Sequence, residues 1–285
     1  MNAGTPDQVL AALDALEELN TWPVRTCAAA IVSPDGAIAT HGPADHVFGL
    51  ASVTKPLAAL AVLVAVEEEA VSLDDPAAED LIPGATLRHL LAHASGLAPE
   101  RLMRAAGPGE RRIYSNVGIE MAGRLVEAAT GMPFAQYLSE AVCTPLRMSN
   151  TTLDGSPARD GRSTVNDLAK VAQELLRPGR VVHASTIAEA SAVQFPGLRG
   201  VLPGFGPKDP NDWGLGFEIR SEKSPHWTGA QNSPRTFGHF GQSGTMLWVD
   251  PVAQLGLVAL ADEPFGPWAA KAWPQLSDAV LGRLR

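Results

Sequence analysis

Apolar residues at Val9, Leu10, Leu13, Leu16 and Leu19 recur at helical spacing, which predicts a helix over residues 7–20 with Thr5 or Asp7 as its N-cap. Residues 26–33 form a β-like apolar run, Pro34-Asp35-Gly36 is a turn signal, and residues 37–40 can return as the second strand of a hairpin. Residues 52–69 make the longest apolar helical segment, with Pro56 in or just after its first turn, where a missing N–H is tolerated. Asp74-Asp75-Pro76 breaks the chain. Further helices are predicted over residues 86–93, ended by Ser95-Gly96, and over 117–130, with Val117, Met121 and Leu125 on one stripe and Gly131 beyond its end. The helical pattern continues over 133–142, 164–176 and 184–193. Residues 196–210 are rich in Gly and Pro and read as a loop. Residues 213–220, 244–249 and 255–261 read as strands, and 267–284 as a closing helix.

This order of helix, strands, many helices, strands and helix predicts an α/β (α+β) architecture. An antiparallel β-sheet is built from both ends of the chain and flanked by helices, and an all-helical lobe is inserted between them. The expected division is residues 1–51 plus 205–285 for the α/β lobe and 52–204 for the mainly helical lobe. The two would meet near Ser52 and Gly241, and clefts between lobes are common ligand sites.

Composition narrows the function. The 285 residues are 45% hydrophobic and 19% charged, an ordinary globular balance with ample material for a core. The formal net charge of −9 argues against nucleic acid as a partner, since phosphates need a clustered basic face, and Arg111-Arg112 is the one adjacent basic pair. The stretch from Met1 to Asp7 has no basic and no apolar leader region, and the apolar run over 56–66 is far short of a bilayer span. The expectation is a cytoplasmic protein without a membrane partner. Cys27 and Cys143 are few and far apart, and in a reducing compartment they are expected to be thiols rather than a disulfide.

Three short motifs carry chemistry. In Ser52-Val53-Thr54-Lys55 the i and i+3 positions share a helix face, so Lys55 can lie beside the Ser52 hydroxyl. A desolvated lysine can have a lowered pKa and act as the base that a serine nucleophile needs. Ser52 at a helix start also offers backbone N–H groups to a developing oxyanion. In Tyr114-Ser115-Asn116 a phenolate kept ionised by neighbouring cations can shuttle protons, and Asn116 can hydrogen-bond a substrate amide or carbonyl. In His239-Phe240-Gly241-Gln242, just before a strand, the glycine allows close approach to a ligand and the Gln242 N–H can serve as a second oxyanion donor. Each motif alone has a plainer alternative: a capping serine with a solvated lysine, a buried aromatic before a capping asparagine, and a loop glycine beside a surface histidine.

Taken together and in this order, the three motifs resemble those of the serine β-lactamase and penicillin-binding-protein superfamily. The likeness is greatest to the branch containing class C β-lactamases, family VIII carboxylesterases and D-amino-acid peptidases. Surrounding text is similar as well: Gly49-Leu50-Ala51 before Ser52, the run from Leu87 to Leu97, Tyr114 to Gly118, Pro145 to Met148, and Trp213 to Phe217. The resemblance implies an acyl-enzyme on Ser52, proton transfers shared by Lys55 and Tyr114, and substrate contacts from Asn116, His239 and Gly241. It also implies an oxyanion hole from the N–H groups of Ser52 and Gln242, with no metal and no organic cofactor. Two departures bear on substrate. His239 stands where β-lactamases usually carry lysine, and a neutral imidazole would hold a carboxylate less strongly. Residues 99–110 are also short for the family, which suggests a more open or differently roofed cleft.

His89 and His93, four apart, have a spacing that can bind metal, but no third ligand is evident. Glu67-Glu68-Glu69 reads as a solvated helix end. The expected function is a serine hydrolase acting on a small-molecule ester or amide, with carboxylesterase ahead of β-lactamase or D-amino-acid peptidase. A catalytically silent ligand-binding protein on the same fold is the rival of another class.

Overall fold

A computed structural model of the chain describes residues 3–285; Met1 and Asn2, part of the N-terminal stretch read above for a leader, lie outside the described residues. Thr5 caps the first helix, α1 (Pro6–Leu16), accepting from the Gln8 N–H while the Gln8 side chain accepts from the Thr5 N–H. The predicted helix is shortened because Glu17–Thr21 tighten into a 3₁₀ turn. The hairpin follows as β1 (Cys27–Ser33) and β2 (Gly36–His41), then a two-residue strand, β3 (Phe48–Gly49). A 3₁₀ turn at Ala51–Val53 leads into α2 (Thr54–Glu67), whose residues 54–65 are all buried. A helix that is apolar on every side belongs in the middle of a protein, and α2 packs between the sheet and the helices at 116–130 and 134–138.

The helical stretch continues as α3 (Leu87–Leu91), α4 (Asn116–Thr130), α5 (Phe134–Leu138), a π turn at Ser139–Cys143, α6 (Thr144–Leu146), β4 (Thr152–Leu153), β5 (Gly161–Ser163), α7 (Val165–Leu176) and α8 (Ala184–Ala190). Two expectations change here. Helix α3 stops at Leu91, well before Ser95-Gly96, because His93 takes a left-handed backbone with φ +54°. His89 and His93 therefore do not share a helix face. The triple glutamate is not simply solvated either: Glu67 accepts from the His183 N–H at 2.7 Å and from the Thr186 hydroxyl, and Glu68 accepts from Tyr137 Oη at 2.6 Å.

The C-terminal part supplies β6 (Gly200–Leu202), β7 (Gly206–Lys208), β8 (Glu218–Ile219), β9 (Phe237–Gly241), β10 (Thr245–Asp250), β11 (Leu255–Ala261) and α9 (Pro267–Leu284). The stretch read as a loop over 196–210 thus contains a small hairpin. The strand expected over 213–220 shrinks to two residues. Gly216, at φ +81°, passes so close over α2 that a Cβ there would collide with the Ala59 methyl. Residues before Thr245, expected to precede a strand, are themselves the strand β9.

The main sheet runs β2-β1-β11-β10-β9-β8, antiparallel throughout. Its first and last long strands pair directly, from Cys27 opposite Ala261 to Val32 opposite Gly256. Alternation sends Ile31, Trp248 and Leu257 to the face covered by α1 and α9, and Val32, Leu247 and Val258 to the face covered by α7 and α2. Both faces are covered, so β1, β10 and β11 read as continuous apolar runs rather than alternating ones. Cys27 and Cys143 are free thiols. Among the described residues no helix is long and apolar enough to cross a membrane.

Candidate active site

Ala51 holds a left-handed backbone, φ +45°, immediately before Ser52. A non-glycine residue rarely adopts it, and here the surroundings hold it in place. Ser243 Oγ donates to the Gly49 carbonyl at 2.7 Å and Thr245 Oγ1 to the Leu50 carbonyl at 2.8 Å. Gly241 lets β9 come this close, because a Cβ on it would overlap the Leu50 carbonyl and the Thr245 hydroxyl. The serine turn and the end of β9 are thus clamped against each other, with Gln242 and Ser52 lining one small pocket of about 40 Å³.

Ser52 is half-buried, and its Oγ accepts from Tyr114 Oη at 2.6 Å and lies 3.1 Å from Lys55 Nζ. Lys55, one turn into the helical segment, is fully buried and also donates to Asn116 Oδ1 at 2.7 Å and to the Ala158 carbonyl at 2.8 Å. Burial lowers its pKa to about 7, although Glu100 pulls it upward. In the neutral amine two hydrogens serve the Asn116 and Ala158 oxygens, and the lone pair faces Ser52. The hydroxyls then line up as Tyr114 O–H to Ser52 O–H to Lys55 N. This is the order in which a proton would leave a serine.

Tyr114 departs from expectation. Burial pushes its pKa above the ordinary tyrosine value, and the Ser52 hydrogen bond offsets only part of this. It is a neutral phenol rather than a phenolate, and it donates to Ser52. Its ring is fixed in an aromatic cluster, 4.7 Å from His93, 5.7 Å from Trp213 and 5.8 Å from His239 between centroids, with Lys55 Nζ 4.6 Å from its own centroid.

His239 is in strand β9, buried, and not on the surface. Its Nδ1 donates to the Phe240 carbonyl at 2.7 Å, which leaves Nε2 as a bare acceptor without a partner. Burial, and then the nearby Lys55, lower its pKa to about 3. It is therefore neutral, and its hold on a substrate carboxylate is weaker still than expected of a neutral imidazole: the free nitrogen accepts and does not donate. Mild acid does not restore a charge to it.

Asn116 is committed on both sides, its Nδ2 donating to Glu100 Oε1 at 2.5 Å. Glu100 in turn accepts from Arg159 Nη1 at 2.9 Å. Sequence reading missed Glu100, Arg159 and Ala158, since a lone acid after Pro99 in an irregular segment has no periodicity to mark it. His93, weighed as a metal ligand, instead accepts from the Ser115 N–H at 3.2 Å and packs against Trp213 with centroids 4.6 Å apart. Among the described residues no group of three metal-ligating side chains forms. Trp213 lines the Ser52 pocket, whereas Trp227 sits behind it, donating to Glu218. Glu218 also reaches the pocket wall. Burial would raise its pKa, but His226 and Lys223 outweigh that and hold it below the usual carboxylate range.

A crystal structure of a β-lactamase from Mycobacterium bovis is similar at 56% identity and TM-score 0.92, covering 95% of this chain and 100% of that one. Unliganded simvastatin synthase from Aspergillus terreus has the same fold at 19% identity and TM-score 0.80, covering 99% and 100%. A protein of Escherichia coli O157:H7 that carries the name D-alanyl-D-alanine carboxypeptidase is 24% identical over 214 residues, 57% of this chain and 47% of its own length. The chain spans about half the length of the curated relatives it matches. The family model described as Beta-lactamase matches residues 14–281, from within the first helix to within the last. Fold, chain order of the motifs and this match agree, and the chain belongs to the Beta-lactamase family.

Proposed function

We propose that the protein is a serine hydrolase that forms an acyl-enzyme on Ser52 and cleaves small esters ahead of amides. The observation that carries this reading is the short network of Tyr114 Oη, Ser52 Oγ and Lys55 Nζ, with the amine lowered to about 7. Neutral Lys55 takes the Ser52 proton as Oγ bonds to the ester carbonyl carbon, and the N–H groups of Ser52 and Gln242 receive the oxyanion. Tyr114 gives its proton to the departing alkoxide and is reprotonated by the Lys55 ammonium. Water then attacks the acyl carbon, its proton passing through the same groups, and Ser52 leaves with a proton. Among readings, hydrolysis outweighs silent binding because the nucleophile is half-buried rather than sealed, and each proton carrier is within hydrogen-bond distance of it.

The second reading, β-lactam hydrolysis, is favoured by the name of the Mycobacterium bovis relative. Against it stands His239: a carboxylate beside the scissile ring would meet an acceptor nitrogen rather than an ammonium. A panel of p-nitrophenyl esters, a chromogenic cephalosporin and D-Ala-containing peptides, with a fluorophosphonate label on Ser52, decides. Ester turnover with labelled Ser52 supports the esterase; a cephalosporin hydrolysed much faster than any ester at pH 7.5 supports the second reading.

A further inference from the structure

The pocket over Ser52 holds about 40 Å³, too little for the body of any substrate, since ligand pockets commonly run to hundreds of Å³. A groove of about 850 Å³ adjoins it and shares Tyr114 and Pro203 as walls. Its lining is mostly apolar, with Ile113, Val201 and Pro207 among it, and it includes Arg111 and Arg199.

These two arginines are brought together by the backbone. Arg112 and Gly200 form a parallel bridge, with the Arg112 N–H donating to the Arg199 carbonyl at 2.9 Å, so Arg111 and Arg199 are neighbours on adjacent segments. Arg112 itself turns inward and spends its guanidinium on the carbonyls of Ala92, Gln194, Phe195 and Asn211. Arg111 and Arg199 are exposed, and neither takes part in the ion pairs found among the described residues. Asp209 also lines the groove and pairs with neither; the buried Lys208 is held by the Ser224 carbonyl. Two guanidiniums on neighbouring segments and outside any of these ion pairs give the groove a positive patch in a chain of net charge −9.

We propose that this groove seats the body of the substrate and that Arg111 and Arg199 bind a carboxylate in it. The preferred ester would then carry a free carboxylate remote from the scissile bond, joined to it by an apolar chain. The inference rests on the esterase reading for its chemistry, but the binding site stands on the groove alone. Two residues, Arg112 and Ile113, separate Arg111 from Tyr114, so the two positions lie at most three residue steps, roughly 10 Å, apart, and this sets the scale of the spacing between the carboxylate and the reacting carbonyl. A guanidinium pair suits this role because its planar donors match a carboxylate bidentately.

The test compares binding of monoethyl suberate and diethyl suberate to the Ser52→Ala protein by calorimetry, so that no turnover is needed. The expected result is tighter binding of the monoacid by at least about tenfold, the scale of a charge-assisted hydrogen bond. That preference should disappear when Arg111→Gln and Arg199→Gln are added, and should persist with Arg124→Gln, which removes the same charge from the exposed face of α4. Thermal unfolding checks that each variant is folded. Equal binding of the two esters, or a preference that survives Arg111→Gln with Arg199→Gln, overturns the proposal. Failure of the esterase reading is seen separately, as absence of p-nitrophenyl butyrate turnover by the wild type.

Discussion

Lys55 Nζ lies 2.7 Å from Asn116 Oδ1, and this contact, together with the Ala158 carbonyl at 2.8 Å, leaves one direction free on the nitrogen, toward Ser52. Asn116, itself held by Glu100, therefore aims the amine at Ser52. Because the base must be neutral, kcat/KM on p-nitrophenyl butyrate should rise with pH through a midpoint near 7, where burial has placed Lys55. Glu100 raises the Lys55 pKa, so Glu100→Gln should move that acid limb to lower pH. A midpoint that stays put or rises in the variant would contradict Lys55 as the base.

Ser52→Ala should leave a folded protein with turnover reduced by about 10³-fold or more, and no fluorophosphonate label. Lys55→Ala and Tyr114→Phe should each slow acylation severely, yet the double variant should be little worse than the worse single one, as for groups acting as a unit. Burst-phase kinetics on an activated ester would read this. A double loss equal to the product of the single losses would rule out one shared proton path.

For His239 the expectation is a flat ratio of cephalosporin to ester activity between pH 5 and 8, because the ring titrates at about 3. His239→Lys replaces a bare acceptor with a donor and should raise that ratio by tenfold or so, the scale of a hydrogen bond to a charged group. A wild-type ratio that climbs as pH falls to 5 would mean that the imidazole charges in that range.

Gly241→Ala must push β9 away from the Leu50 carbonyl and the Thr245 hydroxyl. Since Gln242 follows directly, the displacement should cost activity on the order of 10²-fold, the scale for a lost oxyanion donor. Thermal unfolding alongside kinetics will separate this from global loss: a variant of unchanged activity would remove Gln242 from the mechanism.

Glu218 is fully buried between Lys223, His226 and Trp227. Lys223→Met strips one partner from a buried carboxylate and should destabilise the fold by about 3 kcal/mol in urea unfolding. The carboxyl is held below its ordinary range, so its contribution is present above the unfolded pKa of about 4.3 and fades as pH falls below it. Glu218→Gln should accordingly flatten the acid dependence of the urea midpoint.

Periodicity located most of the scaffold. The last helix has the boundaries expected of it, and the apolar run after Ser52 is the buried α2. Spacing also brought Ser52 to Lys55, since i and i+3 share a helical face. Strand β9 escaped because Phe237-Gly238-His239-Phe240-Gly241 alternates glycine with bulky residues and lacks β-branched ones. The 213–220 stretch misled for the opposite reason: its apolar content serves a close pass over α2, not a ladder. Protonation states were the least legible of all. Whether Tyr114 is a phenol, and which His239 nitrogen is bare, depends on burial and on the Phe240 carbonyl, and neither leaves a mark in spacing.

Strands β1 and β11 lie side by side inside the sheet and join the two ends of the chain. During synthesis, Ser52, Lys55 and Tyr114 leave the ribosome long before the segment that carries His239 and Gln242. At ordinary elongation speeds the wait for residues 205–285 is roughly 4–16 s. On the proposed mechanism, Ser52 would pass that interval without the Gln242 N–H, and hydrolysis would begin only once the final strands pair. On the proposed activity, a protein cut in two at residue 204 should give a pair of silent fragments whose reunion, through the pairing of β1 with β11, switches on ester cleavage.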